Sequence, residues 1–165
     1  MLGVDCSVEG ADVVITSTNI HNELEFVLQG ASTNGSLTYN GTYKCKFYLN
    51  GLNLASQKGA PLEILCGKRI DLILNEGTDN VLADAPNGTQ KAAFYCKGHL
   101  EVEGGGSLTV TGKARHGICT KEYLEIKKST GSITVNGAES DGIHVGQYFL
   151  MKGGTVTVSG QKGDG

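Results

Sequence analysis

Tyr123 and Tyr148, with Lys44, Arg69 and His99 upstream of them, are the side chains whose types and spacing point most directly to chemistry, because they recur at intervals of 25, 30, 24 and 25 residues. A tyrosine ring can lie against the apolar face of a sugar, and Lys or Arg can pair with a carboxylate, Arg bidentately. With Glu23 at its head, the series would form one external stripe if the chain brought residues about 24 apart into vertical register. The plain alternative is that these are ordinary solvent-facing strand residues, among which tyrosine is common on propensity alone.

The elements that would position such a stripe follow from an internal repeat. Tyr39 precedes Cys45 by six residues, and the same offset joins Ile64 to Ile70, Phe94 to Leu100, Ile118 to Leu124 and Ile143 to Phe149. Leu24, Cys45, Ile70, Leu100, Leu124 and Phe149 form one apolar column, and Phe26, Phe47, Leu72, Val102, Ile126 and Met151 form a second, two residues later. A two-residue spacing puts both on one side of a strand. A third face shows in Gly106-Ser107-Leu108-Thr109-Val110, Gly131-Ser132-Ile133-Thr134-Val135 and Gly154-Thr155-Val156-Thr157-Val158, with threonine outward.

Three short strands per repeat predict an all-β, single-stranded, right-handed parallel β-helix of about six coils, roughly 29 Å long at about 4.8 Å per coil. Residues 1–20 are expected to supply an N-terminal capping strand and 21–165 the helix. An antiparallel sandwich would also use alternating strands, but it leaves the columns unexplained. The step from Ile70 to Leu100 is about six residues longer than its neighbours, which predicts a bulging loop over Thr78 to Thr89. The chain stops at Gly163-Asp164-Gly165, the register at which a further coil would begin, so the helix is expected to be truncated there.

Composition agrees. The 165 residues fit one domain, with 25 glycines, 2 prolines and no tryptophan. A net charge of −3 favours neither nucleic acid nor an anionic membrane as partner. No apolar run is long enough to insert in a bilayer, and the first ten residues lack a signal-peptide pattern, so any export signal is expected to have been removed. Five cysteines leave at least one thiol free, and no CxxC is present to hold zinc. Cys66 and Cys96 are expected to be stacked and buried, Cys45 to face inward, and Cys119 to face outward and be exposed.

The run from Lys91 to Gly165 resembles the carbohydrate-binding β-helix family of cellulosome-producing clostridia and gut Bacteroides surface proteins. The resemblance is carried by Gly77-Thr78-Asp79-Asn80-Val81-Leu82, Lys91-Ala92-Ala93-Phe94, His116-Gly117-Ile118, Ser140-Asp141-Gly142-Ile143-His144 and Gly163-Asp164-Gly165. It implies a pectate-lyase-like fold, a secreted or cell-surface location, acidic plant polysaccharide such as polygalacturonate as partner, and bound calcium at Asp-Gly turns, here Asp141 and Asp164. His116 stands where the equivalent turn would carry an aspartate. Calcium takes six to eight oxygens, and Asp141, Glu139 and Asp164 are the best supply, the two aspartates lying one coil apart. The bland counterpart is an Asp-Gly turn with no ion.

Another outward row, Glu25, Lys46, Asp71, Glu101, Glu125 and Leu150, is largely acidic and is expected to be a solvated face. A calcium-assisted lyase would need a basic residue beside carboxylates. Only Arg69 and Arg115 are present, with no cluster of three acidic residues expected beside either, and His99, His116 and His144 fall at separate positions. The favoured function is therefore non-catalytic polysaccharide binding, with the lyase and a structural adhesin or stalk as alternatives.

Overall fold

The computed structural model describes residues 3–160, 162 and 163; Asp164, one of the expected calcium ligands, lies outside the described residues. Strand β1 (Val4–Glu9) folds back antiparallel on β2 (Asp12–Ser17), and from β2 onward the pairing is parallel. Turns of chain then stack. The first two are β2 with β3 (Leu24–Ser32), and β4 (Ser36–Asn40) with β5 (Cys45–Ala55). Each later turn carries three strands. These are β6 (Leu62–Ile64), β7 (Arg69–Leu74) and β8 (Asp79–Ala83); β9 (Ala92–Cys96), β10 (His99–Glu103) and β11 (Ser107–Thr111); β12 (His116–Thr120), β13 (Leu124–Ile126) and β14 (Ser132–Ala138); and β15 (Ile143–Val145), β16 (Phe149–Met151) and β17 (Thr155–Gly160).

The result is an all-β parallel solenoid of about six turns, with no helix among the described residues and hence none that could cross a membrane. One face is the sheet β1-β2-β4-β6-β9-β12-β15. The other two form a continuous sheet, because β3 and β5 run across the corner that later turns break with a loop. Gly51 makes that bend in β5 with φ of 79°, a left-handed conformation that costs glycine least.

Why stacking holds follows from the columns. Leu24, Cys45, Ile70, Leu100, Leu124 and Phe149 pair in unbroken register, as do Phe26, Phe47, Leu72, Val102, Ile126 and Met151. Phe47, Ile70, Leu72, Leu100 and Ile126 are essentially withdrawn from water, each worth about 1.5–3 kcal/mol of burial. No turn could bury this face alone; accordingly Phe149 and Met151, in the last turn, remain half exposed. The third face pairs as the sequence implied, Leu108 with Ile133 and Ile133 with Val156.

Three expectations need correction. Asp79–Ala83 is strand, paired to β5 and β11, so the surplus residues fall later, between Ala83 and Ala92. There Asp84 is buried, accepting hydrogen bonds from Gln90 Nε2 at 2.8 Å and the Lys113 amide at 2.5 Å. The first-face column slips by two residues, with Leu62 opposite Phe94 and Ile64 opposite Cys96. Cys66 and Cys96 are both buried, but they do not pair. Cys119 does point away from the main core, yet it is buried in a small outer cluster with Ala92, Tyr95 and Leu65. All five cysteines are free, and burial pushes the Cys96 thiol up to about 12.

Asn80 is the main polar tie across turns. Fully buried, it accepts from the Gly51 and Leu52 amides at 3.0 and 2.8 Å, and its Nδ2 donates to Ser107 O at 3.0 Å and Thr78 Oγ1 at 3.2 Å. It closes the ladder where β5 bends away. Asn80→Ala would strand the buried Leu52 amide and the partly buried Gly51 amide, and is expected to lower unfolding free energy by about 1–3 kcal/mol in urea denaturation. An unchanged midpoint would contradict this role.

Candidate functional site

Stacking brings the expected stripe together only in part. His99 lies opposite Arg69 in the ladder, and the rings of His99, Tyr123 and Tyr148 follow one another along the axis, with centroids 4.6 and 5.0 Å apart and planes within 21° and 14°. Both faces of Tyr123 are therefore taken by its neighbours. A sugar cannot lie flat on that ring, and the free tyrosine surface belongs to Tyr148, which is half exposed. Lys44 precedes Cys45 as Arg69 precedes Ile70, and its Nζ lies 6.0 Å from the Tyr43 ring centroid.

Arg69 is also engaged. Its Nη2 reaches back two turns to Glu23 Oε1 at 3.1 Å, and its Nε lies 3.5 Å from Asp71 Oδ1. With Glu101 opposite Asp71 in the next turn, three carboxylates do gather around Arg69, contrary to expectation, because the guanidinium spans the turn between. The acidic row is a solvated face only in part, open at Glu25 and Leu150 and closed in between. Asp71 is buried, and Lys127, outside every column singled out in the sequence, sits 3.2 Å from Glu101, 3.7 Å from Glu103 and 4.0 Å from Asp71. Tyr123 Oη donates to Glu101 Oε1 at 2.9 Å.

The charges set each other. Burial, partly offset by Arg69, raises the Asp71 carboxyl above its ordinary range. For Glu101, burial works the same way but is outweighed by the hydrogen bonds from Tyr123 and Lys127, which hold the carboxyl below its usual value. In the folded chain Glu101 thus gains stability that is present above the unfolded carboxylate range and lost as pH falls through its lowered value.

A different surface gathers cations, with Lys91 Nζ lying 5.0 Å from the Tyr95 ring centroid. The outward row of the first sheet runs Thr38, Glu63, Tyr95, Cys119 and His144 through five consecutive turns. Over it lie two open cavities of about 640 and 270 Å³ that share Lys91 and Tyr95. Lys58, Lys91 and Lys97 line the larger, and Arg115 and Lys121 join Lys91 in the smaller, against carboxylates at Asp12 and Glu63. Burial raises the Glu63 carboxyl, and the nearby Lys91 opposes that shift. The cations repeat with the fold: the His116 amide donates to Lys91 O, and the Lys121 amide to Cys96 O, so Arg115 follows Lys91 and Lys121 follows Lys97 one turn on. A 24-residue spacing within each pair was the sequence signal for this groove.

At the far end of the groove, His116 and His144 stack at 4.6 Å rather than falling at separate positions, and both approach Asp141. Glu139 does not join them; its Oε2 accepts from Lys162 Nζ at 2.5 Å. Among the described residues the one cluster of three ligand-capable His, Cys, Asp or Glu atoms is His116, Asp141 and His144. Two imidazoles and one carboxylate are a poor fit to calcium, which wants oxygen throughout.

Lys127→Met would leave Asp71, Glu101 and Glu103 beside one another without their shared cation. It is expected to cost about 1–3 kcal/mol near neutral pH, less than a fully buried pair because Lys127 keeps some solvent contact. The difference from the parent should narrow as carboxylates protonate on acidification; a gap that stays constant with pH would contradict the account.

Known proteins share this architecture. A protein of Acetivibrio thermocellus described as a carbohydrate-binding domain-containing protein is 25% identical over 130 residues, 73% of this chain. The chain spans 46% of that relative's length. A solved structure of the polysaccharide lyase-like protein from C. thermocellum, a gadolinium derivative, superposes with a TM-score of 0.70 at 25% identity, covering 94% of this chain and 75% of that one. The sequence model of the family described as carbohydrate-binding domain-containing protein matches residues 9–165, and the chain belongs to that family.

Proposed function

We propose that this chain binds an acidic polysaccharide of the polygalacturonate kind at a cell surface, without cleaving it, and that the glycan lies in the groove over the first sheet. The family supports a carbohydrate as ligand. The observation that carries the acidic preference is the repeated cation pairs, Lys91 with Arg115 and Lys97 with Lys121, on a chain whose net charge is −3. Like charges stacked one turn apart repel unless an anion lies between them. Five turns give the groove a length of about 19 Å along the axis, suited to an extended polymer whose carboxylates repeat along its length.

Binding works by geometry and charge. Arg115 can take a uronate carboxylate through two parallel hydrogen bonds, while the lysines act as point charges that tolerate small shifts of the chain. Thr38, Ser36, Ser56 and Gln90 supply the polar wall for sugar hydroxyls. The carboxylates around Arg69 sit on another face, held by Arg69 and Lys127 and away from the groove.

Polygalacturonate should bind in a salt-sensitive manner, and its fully methyl-esterified form should bind at least tenfold more weakly. Replacing Lys91, Lys97 and Arg115 together by alanine should remove about tenfold or more of the affinity, whereas Tyr148→Ala should leave it unchanged. The opposite pattern would move the site to the second face and overturn the groove. The same incubation should release no unsaturated oligosaccharide absorbing in the ultraviolet.

A further inference from the structure

We infer that His116, Asp141 and His144 form a binding site for a borderline divalent cation of the zinc class, not for calcium. His144 Nδ1 lies 2.9 Å from Asp141 Oδ2, and His116 Nδ1 lies 3.6 Å from the same oxygen. One ligand atom from each of the three residues falls within 4.8 Å of the others. Tetrahedral zinc holds nitrogen and oxygen at about 2.0–2.2 Å, so its donors stand about 3.3–3.5 Å apart. The two measured separations straddle that spacing.

The second observation concerns His116 itself. Its side chain is only 4% exposed, and its Nδ1 is buried without a hydrogen bond. A buried ring nitrogen that makes no bond costs free energy, and an ion on its lone pair would recover it. The residue is held in place from both sides, since its amide donates to Lys91 O and the following amide, that of Gly117, donates to Gly142 O. His144 is the adjustable partner. The two rings lie within 21° of parallel, so a shared ion requires one to turn, and His144 is half exposed and at liberty to do so.

Donor type selects the ion. Imidazole nitrogen suits zinc, copper or nickel, whereas calcium and magnesium take oxygen. His116 and His144 both line the 270 Å³ cavity, so three protein ligands would leave the fourth position facing an opening rather than the core. Three ligands and an open position are the arrangement of a zinc site that still accepts water or an outside anion. The inference stands apart from glycan binding, and its test uses none.

Tag-free protein titrated with Zn2+ by calorimetry should bind one ion, and an excess of Ca2+ should not displace it. Co2+ should give the visible absorption of a four-coordinate site. In His144→Ala, whose position is exposed enough to leave the fold intact, Zn2+ affinity should fall at least a hundredfold and the cobalt absorption should vanish, with the thermal midpoint in chelator unchanged. Undiminished Zn2+ binding in that variant, or displacement of Zn2+ by equimolar Ca2+, would overturn the inference.

Discussion

Parallel, in-register stacking of one turn on the next governs the whole molecule. Once Leu100 lies on Ile70 and Leu124 on Leu100, every residue acquires a vertical neighbour about 24 positions away, and its type matters as much as its own environment. Inside the coil this is simple, because like on like means apolar on apolar. Outside it creates a problem. Asp71 meets Glu101, aromatic rings meet aromatic rings, and cation follows cation.

The solenoid answers the problem differently on its faces. On the second face the carboxylate row is closed internally: Arg69 reaches back to Glu23, Lys127 gathers three acids, and Tyr123 spends its hydroxyl on Glu101. Arg69 Nε and Asp71 Oδ1 remain there as buried atoms without a hydrogen bond, and the aromatic stack is a structural ladder more than a platform. Over the first sheet the cations of successive turns are left facing an open groove. Under the proposed function an outside anion would relieve the repulsion between them, and that is where the two faces part company.

The inward columns were legible in the sequence because a two-residue alternation and a constant offset survive in apolar residues, where burial permits few substitutes. Six turns and three faces followed from them. What was not legible depended on register and reach. The slip that sets Ile64 opposite Cys96 leaves no mark in composition, since either alignment puts an apolar residue inward. Asp79–Ala83 looked like a loop because Asp79 stands in one stretch with Asp84, Pro86, Asn87 and Gly88, yet the buried Asn80 side chain accepts from the Gly51 and Leu52 amides and ties the strand to β5. The stripe of Tyr123 and Tyr148 was correctly aligned, but alignment could not say that stacking would consume the ring faces. Cys119 was given the right side of the sheet and the wrong exposure, because Tyr95 and Leu65 cover it from outside. His116 and His144 stack although the strand register sets Cys119, not His116, opposite His144, which no periodic count contains.

Lysine-reactivity footprinting with and without saturating polygalacturonate most directly tests where the polymer lies. The account predicts that Lys91, Lys97 and Lys121 become protected while Lys46 and Lys152, on the second face, keep their reactivity. Protection of Lys46 and Lys152 with the groove lysines unaffected would contradict it.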